Sequence, residues 1–174
     1  MKKIIILLLF FSFTSIYAEK EFAIGYTLNG NLALGLSDSG ESIANLQGIK
    51  LEYVYKNQLY KALSFDLGAT LDFMHGIHRS HFEKDKNELF LYPALLLGFS
   101  SYFDSQRTGG IIGLDMLLGL SVLGDDGSKG VTLGFRLYLS IKLFSTEKFN
   151  SHLKLGAILG FPVSSLFASI SFIF

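Results

Sequence analysis

The feature that most constrains this chain is an alternation of large apolar and small or polar side chains, repeated in segments along most of its length. From Phe22 the even positions read Phe22, Ile24, Tyr26, Leu28, Leu32, Leu34 and Leu36, and the odd positions Ala23, Gly25, Thr27, Asn29, Asn31, Ala33 and Gly35. A period of two places these sets on opposite faces of an extended strand. The contrast returns with its phase reset at each polar gap. Leu51, Tyr53 and Tyr55 oppose Lys50 and Glu52; Leu63, Phe65, Leu67, Leu71 and Phe73 oppose Ser64, Asp66, Gly68, Thr70 and Asp72. Ile112 to Val122 and Val131 to Leu143 give two more segments, with Gly113, Asp115, Gly119, Arg136 and Lys142 on their second faces. Leu153 to Phe161 and Leu166 to Phe174 follow. Between Leu89 and Tyr102 both faces are apolar, and Leu89, Leu91, Leu95, Leu97 and Phe99 are assigned outward because the opposite set holds Ala94, Gly98 and Ser100. Eight segments result, with no internal repeat and no linker dividing them.

The second face decides the architecture. A soluble sandwich buries its apolar face and turns charged residues to water. Here the second face is mostly Gly, Ala, Ser and Thr with isolated charges, which suits the cramped interior of an eight-stranded barrel whose bulky side chains face lipid. Hydrocarbon provides no partner for an unpaired backbone amide, so strands cross it only as a closed barrel. The predicted fold is all-β: a closed antiparallel eight-stranded transmembrane β-barrel in up-and-down order. Beyond the first residues no stretch approaches the roughly 20 apolar residues of a membrane-spanning helix.

The N-terminus reads as an address. Lys2 and Lys3, an apolar run from Ile4 to Phe13, and Ser15-Ile16-Tyr17-Ala18 predict a signal peptide over residues 1–18, leaving a barrel over 19–174. Export to a bacterial outer membrane through the secretory pathway is the expected route. The charges of the full chain cancel at 15 of each sign, and without Lys2 and Lys3 the mature part carries 13 basic and 15 acidic residues, so no nucleic-acid footprint is present. Cysteine is absent, which excludes disulfides, thiolate metal sites and a lipid-modified N-terminal cysteine.

With the N-terminus on the periplasmic side, short turns are expected near Asn57-Gln58, Asp104 to Arg107 and Ser145 to Asn150. The outer links are Ser37 to Asn45, His75 to Glu88, Gly124 to Lys129 and Pro162 to Ser164. Tyr55, Tyr102, Phe103 and Phe144 on one rim, and Phe73, Phe90, Phe161 and Phe167 on the other, are the expected aromatic girdles.

At the C-terminus, Leu166, Ala168, Ile170, Phe172 and Phe174 alternate up to a final aromatic. This resembles the closing strand of bacterial outer-membrane β-barrel proteins, and the mature chain looks like the small OmpA/OmpX/OmpW-type barrels. The resemblance implies that Ile170, Phe172 and Phe174 act as an assembly signal for the barrel-assembly machinery. Other implied partners are outer-membrane lipids and host or extracellular ligands met through the outer loops, with a monomeric state.

Charges on the inward face are the most informative polar groups, because each needs a partner or water. Lys50, Glu52, Asp66, Asp72, Asp115, Arg136, Lys142 and Lys154 supply four of each sign. A turn at Asn57-Gln58 sets Lys50 opposite Asp66. Lys50, Glu52, Asp66, Asp115 and Arg136 are predicted to form a structural ion-pair network that plugs the lumen. His75, His78 and His81 would share one face of a helical turn and hold Zn²⁺ or Cu²⁺, but would alternate sides on an extended chain; a solvated loop is the expectation. His152 is expected as an interfacial residue at a periplasmic strand end, and Gly124-Asp125-Asp126-Gly127 reads as a turn.

The expected function is therefore a non-enzymatic envelope or surface-presentation role with no cofactor. Resemblance to OmpW-like barrels suggests the alternative of a carrier for small hydrophobic molecules lined by Leu117, Ile158 and Phe167. Small barrels that modify lipid A suggest a hydrolase, to which His78-Arg79-Ser80 would contribute the histidine and serine.

Overall fold

A computed structural model describes residues 18–33, 42–79, 86–104, 109–123, 129–161 and 163–174. Among these are eight strands: β1 (Glu19–Ala33), β2 (Ser42–Tyr60), β3 (Leu63–Arg79), β4 (Lys86–Tyr102), β5 (Ile111–Leu123), β6 (Lys129–Ser145), β7 (Asn150–Phe161) and β8 (Val163–Ile173). Each pairs antiparallel with the next, and β1 pairs with β8 from Glu21↔Ile173 to Leu32↔Val163, so the sheet closes in meander order. Closure leaves no strand edge without a neighbour. Residues 1–17 of the predicted signal peptide, the Gly124 to Ser128 part of the β5–β6 link, His81 and Pro162 lie outside the described residues.

The alternation sorts the side chains as an eight-stranded closure requires. On β5, Leu114 is 55 % exposed on the outer surface while Asp115 is 1 % exposed inside, and β6 repeats the contrast with Leu137 and Arg136. On β4, Leu89, Leu95, Leu97 and Phe99 face outward, and Tyr92, Leu96 and Ser100 fill the interior. Inward glycines make room for the largest rings. A Cβ on Gly113 would lie 2.2 Å from Cζ of Tyr138, and one on Gly156 would lie 2.7 Å from the Phe167 ring. Small residues on one strand thus accommodate aromatics from the next.

Three expectations are corrected. The β2–β3 hairpin does not turn at Asn57-Gln58; both strands continue to a tight turn at Lys61-Ala62, where Lys61 has φ 37° and its carbonyl accepts from Nε2 of Gln58 at 2.9 Å. Lys50 therefore stands opposite Asp72, and Asp66 stands opposite Lys56. The second link is also shorter than expected, because β3 runs to Arg79 and pairs His78 with Lys86. Finally, Tyr102, Phe90 and Phe167 are not girdle residues, since their positions share the inward parity and their rings are buried. The aromatics exposed near the turns at the end of the barrel that holds the chain termini are Tyr60, Phe103 and Phe144, and Phe149 there packs edge-on to Phe144 and Phe172, with centroids 6.0 and 5.6 Å away.

Candidate functional site: the charged lumen

Strand parity delivers nine ionisable side chains into the lumen: Glu21 from β1, Lys50, Glu52 and Lys56 from β2, Asp66 and Asp72 from β3, Asp115 from β5, Arg136 from β6 and Lys154 from β7. All are buried. Charges in such a place must neutralise one another, and hydrogen bonds must use their remaining donors and acceptors.

Two groups of contacts do this. In the larger, Arg136 bridges two carboxylates: Nε and Nη2 donate to Oδ2 of Asp115 at 2.8 and 2.6 Å, and Nη1 donates to Glu52. Glu52 also accepts from Nζ of Lys154 at 2.7 Å, and Lys154 pairs with Glu21. Glu21 is shared with Lys56 at 3.2 Å. Lys56 in turn donates to Asp66 at 2.8 Å, to Ser100 at 3.1 Å and to the Tyr138 hydroxyl at 3.0 Å. Ser100 donates to the other oxygen of Asp66 at 3.0 Å. The Tyr138 ring lies among three of these cations, with Nζ of Lys154 4.5 Å and the Arg136 guanidinium carbon 5.0 Å from its centroid.

The smaller group lies nearer the loop end, where Nζ of Lys50 donates to Oδ2 of Asp72 at 2.9 Å. Thr27 donates to Oδ1 of the same carboxylate at 2.9 Å. The Phe167 ring separates the two groups, with Nζ of Lys50 and the Arg136 carbon each 5.6 Å from its centroid. In the larger group three cations face four carboxylates, and Oδ1 of Asp115 has no hydrogen-bond partner among the described residues.

Toward the loop end the lumen becomes apolar, through Leu46, Met74, Phe90, Tyr92, Leu117 and Ile158, with the Tyr92 hydroxyl accepting from Thr132 at 2.9 Å. Leu117, Ile158 and Phe167 all belong to this buried cluster. The opposite end is filled by Tyr102, Ile111 and Ile173. His152 is buried opposite Ser171 and is not an interfacial residue, because it shares the inward parity of Lys154.

Of the residues singled out in the sequence, Glu52, Asp66, Asp115 and Arg136 come together in the larger group and Lys50 stands in the smaller. Asp72 and Lys154 were legible by parity as well. Lys142 is half-buried at the strand end, beside His152. Glu21, Lys56 and Tyr138 went unnoticed; the parity of Ala23 and Gly25 would have found Glu21, and extending β2 beyond Asn57 would have found Lys56.

Of the three loop histidines, His81 lies outside the described residues. His75 and His78 both lie on the extended strand β3 and not on a helical turn. The His75 ring donates from Nδ1 to the Gln47 carbonyl at 3.0 Å and accepts at Nε2 from the Gln47 amide at 3.4 Å. Among the described residues no group of three metal-binding side chains converges. The chain of His78-Arg79-Ser80 leaves the described residues at Ser80.

On the outer surface, Ile170 and Phe174 are exposed on β8 and at its end, and Phe172 is half-buried beneath Phe149. No family model matches the chain, and no curated protein matches it in sequence. Among solved structures it is similar to Ail, the attachment invasion locus protein of Yersinia pestis, at a TM-score of 0.44 and 12 % identity, over 90 % of this chain and 99 % of that one.

Proposed function

We propose that the mature chain is an integral barrel of a bacterial outer membrane, with a lumen closed by its ion-pair network and an envelope-integrity or surface-presentation role. The observation that carries this reading is the inversion of polarity between the two faces. Large apolar side chains of every strand are exposed outward in one continuous belt, whereas the charges are buried inside. Soluble monomers seldom expose an apolar patch beyond about 600 Å². A belt around the whole barrel is stable only against hydrocarbon.

The lumen-facing charges are buried, which supports a plug and argues against free permeation. Export through the secretory pathway, with residues 1–18 removed, and assembly through Ile170, Phe172 and Phe174 complete the proposal. The links that join β1 to β2, β3 to β4 and β5 to β6 would present the chain to extracellular ligands.

Two measurements test it. The processed chain should float with outer-membrane vesicles and require detergent for extraction; a freely soluble, folded protein would refute the location. Reconstituted in planar bilayers, it should show no stable conductance steps, and steps of open-pore size would refute the plug and reopen the carrier reading.

A further inference from the structure

The β4–β5 ladder carries an interruption. Leu91 pairs with Val122 and Ala94 with Gly119 in one unbroken register, yet Tyr92 and Pro93 drop out between them. Proline has no N–H to give. In an antiparallel ladder, a hydrogen-bonded pair exchanges bonds in both directions. Loss of a Pro93 bond to Leu120 removes that pair and the neighbouring Tyr92–Ser121 pair, while Ala94–Gly119, held by other bonds, survives. The one-sided gap therefore marks Pro93 and Leu120 as a hydrogen-bonded pair lacking one bond, and leaves the Leu120 carbonyl without its ladder donor.

Leu120 and Pro93 both line a cavity of about 470 Å³ on the outer surface, together with Ala69, Leu95, Leu118 and Val131 among others. The cavity exists because Ala69 and Pro93 are small where the surrounding outward residues are large. Its volume lies in the range of sites that take a small molecule or a lipid chain. Leu120 lies three residues from the loop end of β5, roughly 10 Å along the strand, which on the membrane reading sets it toward the head-group end of a lipid chain. Hydrocarbon alone leaves an exposed acceptor unsatisfied. An acyl chain with a hydroxyl near its head-group end fills the groove and supplies the missing donor.

We propose that this groove is a lipid site for one hydroxylated acyl chain, whose hydroxyl donates to the Leu120 carbonyl. The proposal rests on the membrane reading above. The test uses the mature chain in lipid vesicles, with two probes: a phospholipid bearing a 3-hydroxytetradecanoyl chain and its tetradecanoyl counterpart. Vesicle insertion, read by flotation, comes first, and failure to insert overturns the membrane reading and this site with it.

In the inserted protein, the hydroxylated probe should bind about three- to tenfold more tightly, the worth of one net hydrogen bond, and should shift the Leu120 carbonyl ¹³C resonance. Pro93→Ala restores an N–H and should abolish the preference. Ala69→Leu fills the groove and should weaken both probes alike. Insertion with equal affinity for the two lipids, or a preference that survives in Pro93→Ala, overturns the site and leaves the membrane reading standing.

Discussion

Replacing Arg136 by Met keeps much of the side-chain volume and removes the charge that ties the lumen together. Asp115 accepts both of its charged hydrogen bonds from Arg136 through Oδ2, and its Oδ1 has no partner among the described residues, so the substitution strands this carboxylate. Glu52 keeps Lys154 at 2.7 Å and loses only half of its pairing. In the larger group the imbalance grows from one excess carboxylate to two. Breaking a buried pair on one side costs about 3–5 kcal/mol, chiefly because the remaining charge stays buried without compensation.

Pairing Arg136→Met with Asp115→Leu removes both charges. It should recover most of that loss, since a buried pair replaced by apolar groups of similar volume is often neutral. The assay is reversible urea unfolding of the refolded barrel in lipid vesicles, followed by far-ultraviolet circular dichroism. If Arg136→Met unfolds within about 1 kcal/mol of wild type, the lumen is wet enough to screen Asp115 and the reasoning fails. It fails equally if the double variant is no more stable than the single one.

Two further outcomes are expected from the same unfolding assay. In double-mutant cycles Lys50 should couple to Asp72 by about 1–3 kcal/mol and to Asp66 by less than about 0.5 kcal/mol; the reverse order would restore the shorter β2–β3 hairpin. Gly113→Ala sets a Cβ 2.2 Å from Cζ of Tyr138 and should cost about 1–3 kcal/mol by overpacking, whereas Gly134→Ala, whose Cβ would meet nothing closer than 3.5 Å, should cost less than Gly113→Ala.

The β2–β3 hairpin shows where reading from residues succeeds and where it stops. Placing Lys50 against Asp66 was wrong by six positions along β3, but six is an even number. The residues from Lys50 to Tyr55 and from Leu63 to Phe73 keep the predicted faces, because a strand's faces repeat every second residue and only an odd slip inverts them. The turn was misplaced because Asn57-Gln58 has ordinary turn chemistry, whereas Lys61-Ala62 does not announce itself. Tyr102, Phe90 and Phe167 were misplaced for the opposite reason: nearness to a strand end outweighed parity, although parity decides whether a ring meets lipid or lumen.

What residue order settles for this chain is local: extended backbone, which half of each strand is bulky, and which charges turn inward. Those follow from the fixed geometry of a pleated strand and need no knowledge of neighbours. Partnership is another matter. Arg136 with Glu52, and Lys154 with Glu52 and Glu21, join strands far apart in sequence, and only ring closure with its stagger brings them within reach. The interrupted ladder at Pro93 belongs to the same class, since a missing N–H matters only once the facing carbonyl is known.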